Sequence, residues 1–190
     1  MNNDEAALFR DKQIGFFIYL GVEAIMFATL FATYLIFTPA SKGPHPSEVF
    51  EAKSVILSSI FLLSSSGTLL IAEKGLKERK TKKLFIGMGI TFLFALIFLG
   101  LEIREFYTFV SEGYGITVNV FLSSFYVLVG LHAAHVAFGI GWMLVLFIQW
   151  KMDIPHALYS EKQKIFSYYW HFVDAIWVLI ILLVYLPYLF

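Results

Sequence analysis

The sequence predicts an all-α, polytopic membrane bundle with five transmembrane helices, and three observations carry that prediction. Of its 190 residues, 59% are hydrophobic and 15% charged, well beyond the roughly 45–50% apolar content of soluble domains. Five apolar runs, at roughly 14–37, 54–72, 84–103, 118–149 and 168–188, are each long enough to cross a hydrocarbon layer of about 30 Å, which takes about 20 helical residues. Within each run the apolar residues are continuous rather than alternating with polar ones, which favours helices over barrel strands, because a helix satisfies its own backbone in lipid.

The first run follows MNNDEAALFRDKQ, an acidic and polar start that reads as an uncleaved first helix rather than a signal peptide. Its successors are joined by TPASKGPHPSEVFEAK, the basic EKGLKERKTKK, REFYTFVSEGYGIT and WKMDIPHALYSEKQKIF. None of these connections can hold a second domain, so residues 1–190 read as one transmembrane unit. Eleven Lys and Arg fall on the N-terminal side and three on the other. By the positive-inside rule the N-terminus is cytoplasmic and the C-terminus outside. Zero net charge gives no support to nucleic-acid binding. The chain has no Cys, so disulfides, thiolate nucleophiles and iron–sulfur ligation are excluded.

Small residues suggest where helices meet. Ala24, Ala28 and Ala32 repeat every four residues on the first span, and Gly130, Ala134, Ala137 and Gly141 follow a similar rhythm on the fourth. Both strips let backbones approach closely, against a helix or against lipid. The hydroxyl-rich second span, with Ser58, Ser59, Ser64, Ser65 and Ser66, is expected to bond its own carbonyls or a neighbouring helix rather than line a pore.

Ionisable residues inside the spans carry any chemistry, because each costs roughly 2.5–3.5 kcal/mol at mid-bilayer. Glu23 lies about nine residues into the first span, roughly 14 Å along a helix. It reads either as a proton-linked or inter-helix site or as a purely structural bond. His132 and His135 share a face of the fourth span at a matching depth, and the antiparallel run of the two helices allows Glu23 to bond either one. His171 and Asp174, also three residues apart, can pair directly, but no strained nucleophile turn accompanies them. Glu102 and Glu105 flank Arg104 at the outer end of the third span, where an interfacial charge cluster is the simplest reading, with Glu102 the more buried of the two. Metal ligation is the competing reading of the histidines, yet neighbours on one helix cannot clamp a haem from both faces, and zinc needs a further close ligand. No metal or cofactor is expected in this chain.

Four segments, GVEAIMFATLFATY, FLGLEIREF, FYVLVGLHAAHVAFGIGWM and YYWHFVDAIWVLIILLVYL, resemble in this order subunit III of the haem–copper terminal oxidases, above all the five-helix bacterial form of cytochrome c oxidase subunit III. The resemblance covers nearly the whole chain. It implies a non-catalytic, multi-pass subunit of the bacterial cytoplasmic membrane in aerobic respiratory electron transport, packed on subunit I in a complex that includes subunit II. On that analogy the haems and coppers reside in those partners, and this chain stabilises subunit I, supports proton uptake and binds phospholipid. Glu23 matches the family's intramembrane carboxylate, His132 and His135 its His pair, and Trp170, His171 and Asp174 its last-helix motif. The longer family form has two further helices before the first span, absent here, which puts its lipid sites in doubt.

Three alternatives stay open. Quinol-oxidising relatives have a closely similar subunit III, so the electron donor, cytochrome c or quinol, is not decided by these residues. A haem-b anchor would use His132 or His135 with His171, although their depths differ. A proton-coupled transporter would centre on Glu23 and predicts substrate uptake in liposomes.

Overall fold

The computed structural model describes residues 3–38, 42–152 and 154–189, with side chains from Phe9 onward. Among these residues, seven α-helical segments follow one another: α1 Asn3–Phe37, α2 Pro46–Val49, α3 Ala52–Lys77, α4 Thr81–Ser111, α5 Val120–Lys151, α6 His156–Ile180 and α7 Leu186–Leu189, with a π-helical turn Ile181–Tyr185 joining the last two. Five helices are long and apolar enough to cross a membrane, and the described residues form no strand.

Four of the five spanning helices outrun the apolar stretches that announce them, while α5 matches its stretch in length and is shifted two residues along the chain. Hydropathy marks the part of a helix that suits lipid, whereas its hydrogen-bond ladder continues into water. The largest extension is on α6, which begins at His156, twelve residues before the apolar run. Its added turns alternate buried Tyr159, Gln163 and Phe166 with charged Glu161, Lys162 and Lys164, an amphipathic pattern rather than an apolar one. The π turn has a visible cause in Pro187. Proline lacks an N–H and its ring crowds the carbonyl four residues back, at Leu183 within the turn, and widening the helix there relieves that conflict.

Antiparallel α3 and α4 make the closest pair. A methyl at Gly75 would lie 2.5 Å from the Leu84 nitrogen, and one at Gly87 would lie 2.6 Å from the Ala72 nitrogen, so these two glycines allow backbone-to-backbone approach. The α3 helix ends with the Lys80 N–H donating to the Gly75 carbonyl at 2.8 Å and the Arg79 N–H to Leu76 at 3.1 Å. This Schellman closure puts Arg79 at φ 54°, where glycine is the usual residue. Gly113 occupies the equivalent place after α4 at φ 90°, with the Tyr114 N–H donating to Phe109 at 2.8 Å.

At the centre stands α6, which packs against α1, α3 and α5. Trp170 and Trp177 are wholly buried on it. Their indole N–H groups donate to Ser65 at 2.9 Å and Ser59 at 3.1 Å on α3. Those serines also bond their own helix, Ser65 donating to the Leu62 carbonyl at 2.6 Å and Ser59 to Val55 at 2.5 Å. The hydroxyls of α3 therefore serve as inter-helix joints, each worth about 0.6–1 kcal/mol.

The small-residue strips point the other way from a contact within this bundle. Ala24, Ala28 and Ala32 on α1 and Ala134, Ala137 and Gly141 on α5 are all exposed, and Gly130 is half-buried near Phe106. On α5 the close approach falls instead at Gly139, whose missing methyl would lie 2.5 Å from the Trp170 ring. Four-residue spacing fixes a common face but not the direction in which that face looks.

Candidate functional site

The polar groups inside the bundle form three sets, each placed by a different helix pair. The first joins α1 to α5 at Glu23, where Oε2 lies 3.2 Å from His135 Nε2. His135 Nδ1 is 2.8 Å from the Leu131 carbonyl of its own helix. A carbonyl only accepts, so Nδ1 carries a hydrogen, and the Glu23–His135 contact then contains one further proton. Either Glu23 donates to a neutral ring or an imidazolium donates to a carboxylate, and the pair is neutral overall in both cases. That arrangement removes the Born cost of an isolated charge in lipid. Phe27 covers the imidazole at 5.2 Å and Tyr169 stacks on it at 6.5 Å, while the Tyr169 hydroxyl donates to the His135 carbonyl at 2.9 Å.

His132 does not share in this pair. Its ring is fully buried and, among the described residues, both nitrogens lack a partner. It stacks on Trp177 at 5.1 Å and meets the edge of Phe98 at 6.0 Å, so it fills an aromatic slot as a packing ring.

The second set lies between α3 and α6. Ser66 on α3 sits between His171 and Asp174, with its hydroxyl 3.1 Å from His171 Nδ1 and donating to Asp174 Oδ2. No direct bond joins His171 to Asp174 among the described residues, because Ser66 occupies the space between them. His171 Nε2 contacts Glu73 Oε1 at 3.4 Å. Both Glu73 and His171 line a cavity of about 380 Å³, together with Gln163, Ser167, Lys77 and Lys164. Sequence reasoning did not single out Ser66 or Glu73 as site residues, although Ser66 belongs to the hydroxyl-rich run.

The third set corrects the interfacial reading of the acidic pair. Glu102 is 1% exposed and Glu105 6%, because α4 continues to Ser111 and leaves both well inside the helix. Ser54 donates to Glu105 at 2.6 Å and Tyr185 donates to it at 3.5 Å, whereas Glu102, beside Ser58, has no hydrogen-bond partner within reach among the described residues. Arg104, between them, points outward and is exposed.

These histidines are poorly disposed to grip a metal or haem: both nitrogens of His135 and of His171 already have polar neighbours, and His132 is enclosed by aromatic rings. Among the described residues no group of three or more His, Asp or Glu converges on one point.

Comparison with known proteins decides the family. The family model of cytochrome c oxidase subunit III matches residues 3–188. The chain belongs to the cytochrome c oxidase subunit III family. It is 42% identical over 178 residues to cytochrome c oxidase subunit 3 of Bacillus sp. (strain PS3), covering 93% of this chain and 86% of that one. It is also 38% identical to the cytochrome bo(3) ubiquinol oxidase subunit 3 of Pseudomonas aeruginosa, over 90% of this chain and 83% of the relative. A quinol oxidase subunit 3 of Bacillus subtilis is 39% identical over 91% and 85%. As a subunit III, the chain is a multi-pass membrane component of a haem–copper oxidase assembly, and its relatives include subunits of oxidases named for either donor.

Proposed function

We propose that this chain is the non-catalytic subunit III of a proton-pumping haem–copper oxidase in a bacterial plasma membrane, packed on subunit I beside subunit II, which hold the haem and copper. The observation that carries this reading is the family match over residues 3–188, joined to polar side chains that pair with one another across helices. In this reading the whole chain is one transmembrane domain with its N-terminus in the cytoplasm, following the eleven-to-three bias of Lys and Arg.

The outward faces give the subunit something to dock with. On α1, the most apolar window is only 17% buried, and Ala24 and Ala28 are exposed there beside the exposed apolar side chains of Val22 and Ile25. With Ala134 on α5 this surface is offered to helices of subunit I or to lipid. A shallow apolar groove lined by Leu30, Phe37, Val120 and Val127 suits an acyl chain of a bound phospholipid. Inside, Glu23–His135 and the Trp170 joint hold the helices in register, which keeps the face presented to subunit I constant and so supports its proton uptake through repeated turnover. The haem-anchor reading is weakened by the occupied nitrogens of His135 and His171, and a transporter centred on Glu23 by the bond that residue makes to His135.

Deleting this chain from its native oxidase tests the proposal: haem content and initial oxygen consumption should persist, while the number of turnovers before inactivation falls and returns on complementation. Unchanged turnover lifetime and pumping would overturn it. A second reading differs in the electron donor. Cytochrome c is our choice, and the quinol oxidase relatives at 38–39% identity support the alternative. Oxidation of reduced cytochrome c or of quinol by the purified complex separates the two.

A further inference from the structure

The cavity between α3 and α6 holds polar groups that packing alone does not explain. Gln163 is wholly buried, yet among the described residues both its amide atoms lack a partner, and the buried Ser167 hydroxyl, which lies beside Glu73, likewise makes no hydrogen bond. Both line the same cavity of about 380 Å³. Leu70 and Leu76 make much of its wall apolar, while Gln163, Ser167, Glu73 and His171 supply the two to four polar neighbours that a bound water needs. Glu73 and His171 form part of the same wall, with Lys77 and Lys164 also lining it.

From that wall a continuous hydrogen-bonded line leads inward: Glu73 Oε1 to His171 Nε2 at 3.4 Å, His171 Nδ1 to Ser66 Oγ at 3.1 Å, and the Ser66 hydroxyl to Asp174 Oδ2. It ends at Asp174, which is 6% exposed and whose second oxygen is buried without a partner among the described residues. The donors can be assigned. Ser66 has one hydrogen and gives it to the carboxylate, so His171 Nδ1–H must donate to the Ser66 oxygen. The Nε2 side then shares one proton with Glu73 or with cavity water.

The geometry points to a proton inlet, in which cavity water loads the buried Asp174 carboxyl through Glu73, His171 and Ser66. One proton passes from Glu73 to Nε2 as the Nδ1 proton passes to Ser66 and the Ser66 proton to Asp174. Each intermediate group gains one proton and loses one; Glu73 becomes a carboxylate, which a proton relayed from the aqueous phase through cavity water restores to the acid, and Asp174 becomes the neutral acid. The charged neighbours on these two helices are Lys77 on α3 and Lys164 on α6. On the other side of α6, α1 and α5 bring Glu23, His132 and His135, of which Glu23 and His135 bond each other. Use of this proton by an oxidase rests on the functional reading above; the inlet itself does not.

Difference infrared spectroscopy of the purified native complex, in H2O and after a jump into D2O, tests it. A protonated-carboxyl band should vanish in Asp174→Asn. In Ser66→Ala that band should remain but exchange at least about tenfold more slowly, with the rate restored in Ser66→Thr. Exchange at the unmodified rate in Ser66→Ala, or no protonated-carboxyl band assignable to Asp174 at any pH, would overturn the inlet. Because exchange is read in the resting complex, companion chains lacking an oxidase core would sink the functional reading and leave this result standing.

Discussion

Two acid–histidine pairs in the same bundle are built differently. On α1 and α5, Glu23 and His135 touch directly at 3.2 Å, with side chains 16% and 13% exposed, near an outward face with few neighbours. Between α3 and α6, a serine separates His171 from Asp174, and the line continues to Glu73 and the cavity that it lines. A closed pair needs only itself to neutralise its charge. An open line needs an external proton source, and the cavity supplies a place for one. Direct contact therefore suits a joint between helices, whereas the mediated contact suits exchange.

The largest expected effect lies in the rigid half that supports the open line. Gly87→Leu would drive a side chain into the backbone of α3, where even a single methyl at that position would sit 2.6 Å from the Ala72 nitrogen, and should cost about 3 kcal/mol or more. Loss of assembled subunit, read as its yield in the complex, checks this; full yield would show that α3 and α4 can part without penalty. Breaking the closed pair comes next. Glu23→Ala leaves a buried imidazole nitrogen unpaired, at about 1–3 kcal/mol. It should preserve haem content while shortening turnover lifetime or lowering proton uptake, and an unaltered lifetime and uptake would reduce Glu23 to a packing residue.

Smaller effects sharpen the contrast between joints and surfaces. Replacing Trp177 by Phe and Ser59 by Ala, singly and together, should reveal a coupling of about 0.6–1 kcal/mol in a thermal-stability cycle; strictly additive losses would remove the joint. Arg79→Gly should raise stability by about 1 kcal/mol by relieving the left-handed backbone at φ 54°. The smallest effect is electrostatic. In the loop after α3, the hydrogen bond from Lys80 holds the Glu78 carboxyl below its usual range. Its contribution is present above the unfolded-state pKa and fades as pH falls through the lower folded-state value. Glu78→Gln should flatten the acid limb of the stability profile slightly, and an effect confined to alkaline pH would contradict that sign.

How far the sequence revealed this molecule depended on which physical signal each feature leaves. Five spans were legible because lipid demands long apolar runs, and Glu23, His132, His135, His171, Asp174 and Glu102 stood out because polar groups are rare there, whereas Trp170 entered only through the family resemblance. The extension of α6 back to His156 was not legible from hydropathy, since that segment faces water on one side, although Pro155 before it was a usable start signal. Depth matched Glu23 to both histidines; choosing His135 required the rotation of α5, which spacing alone does not supply. Four-residue spacing put the alanines on common faces, but nothing local says that Ala24, Ala28 and Ala134 look outward. Ser66 and Glu73 gained their meaning only when α3 was laid against α6.

Gentle detergent extraction of the native membrane, followed by affinity capture of this chain and identification of its companions and bound haem, tests the central claim most directly. The account predicts co-purification with the two haem- and copper-bearing oxidase subunits and no haem on this chain once it is separated from them. Recovery of a stable particle without an oxidase core, or of this polypeptide with its own haem, would contradict it.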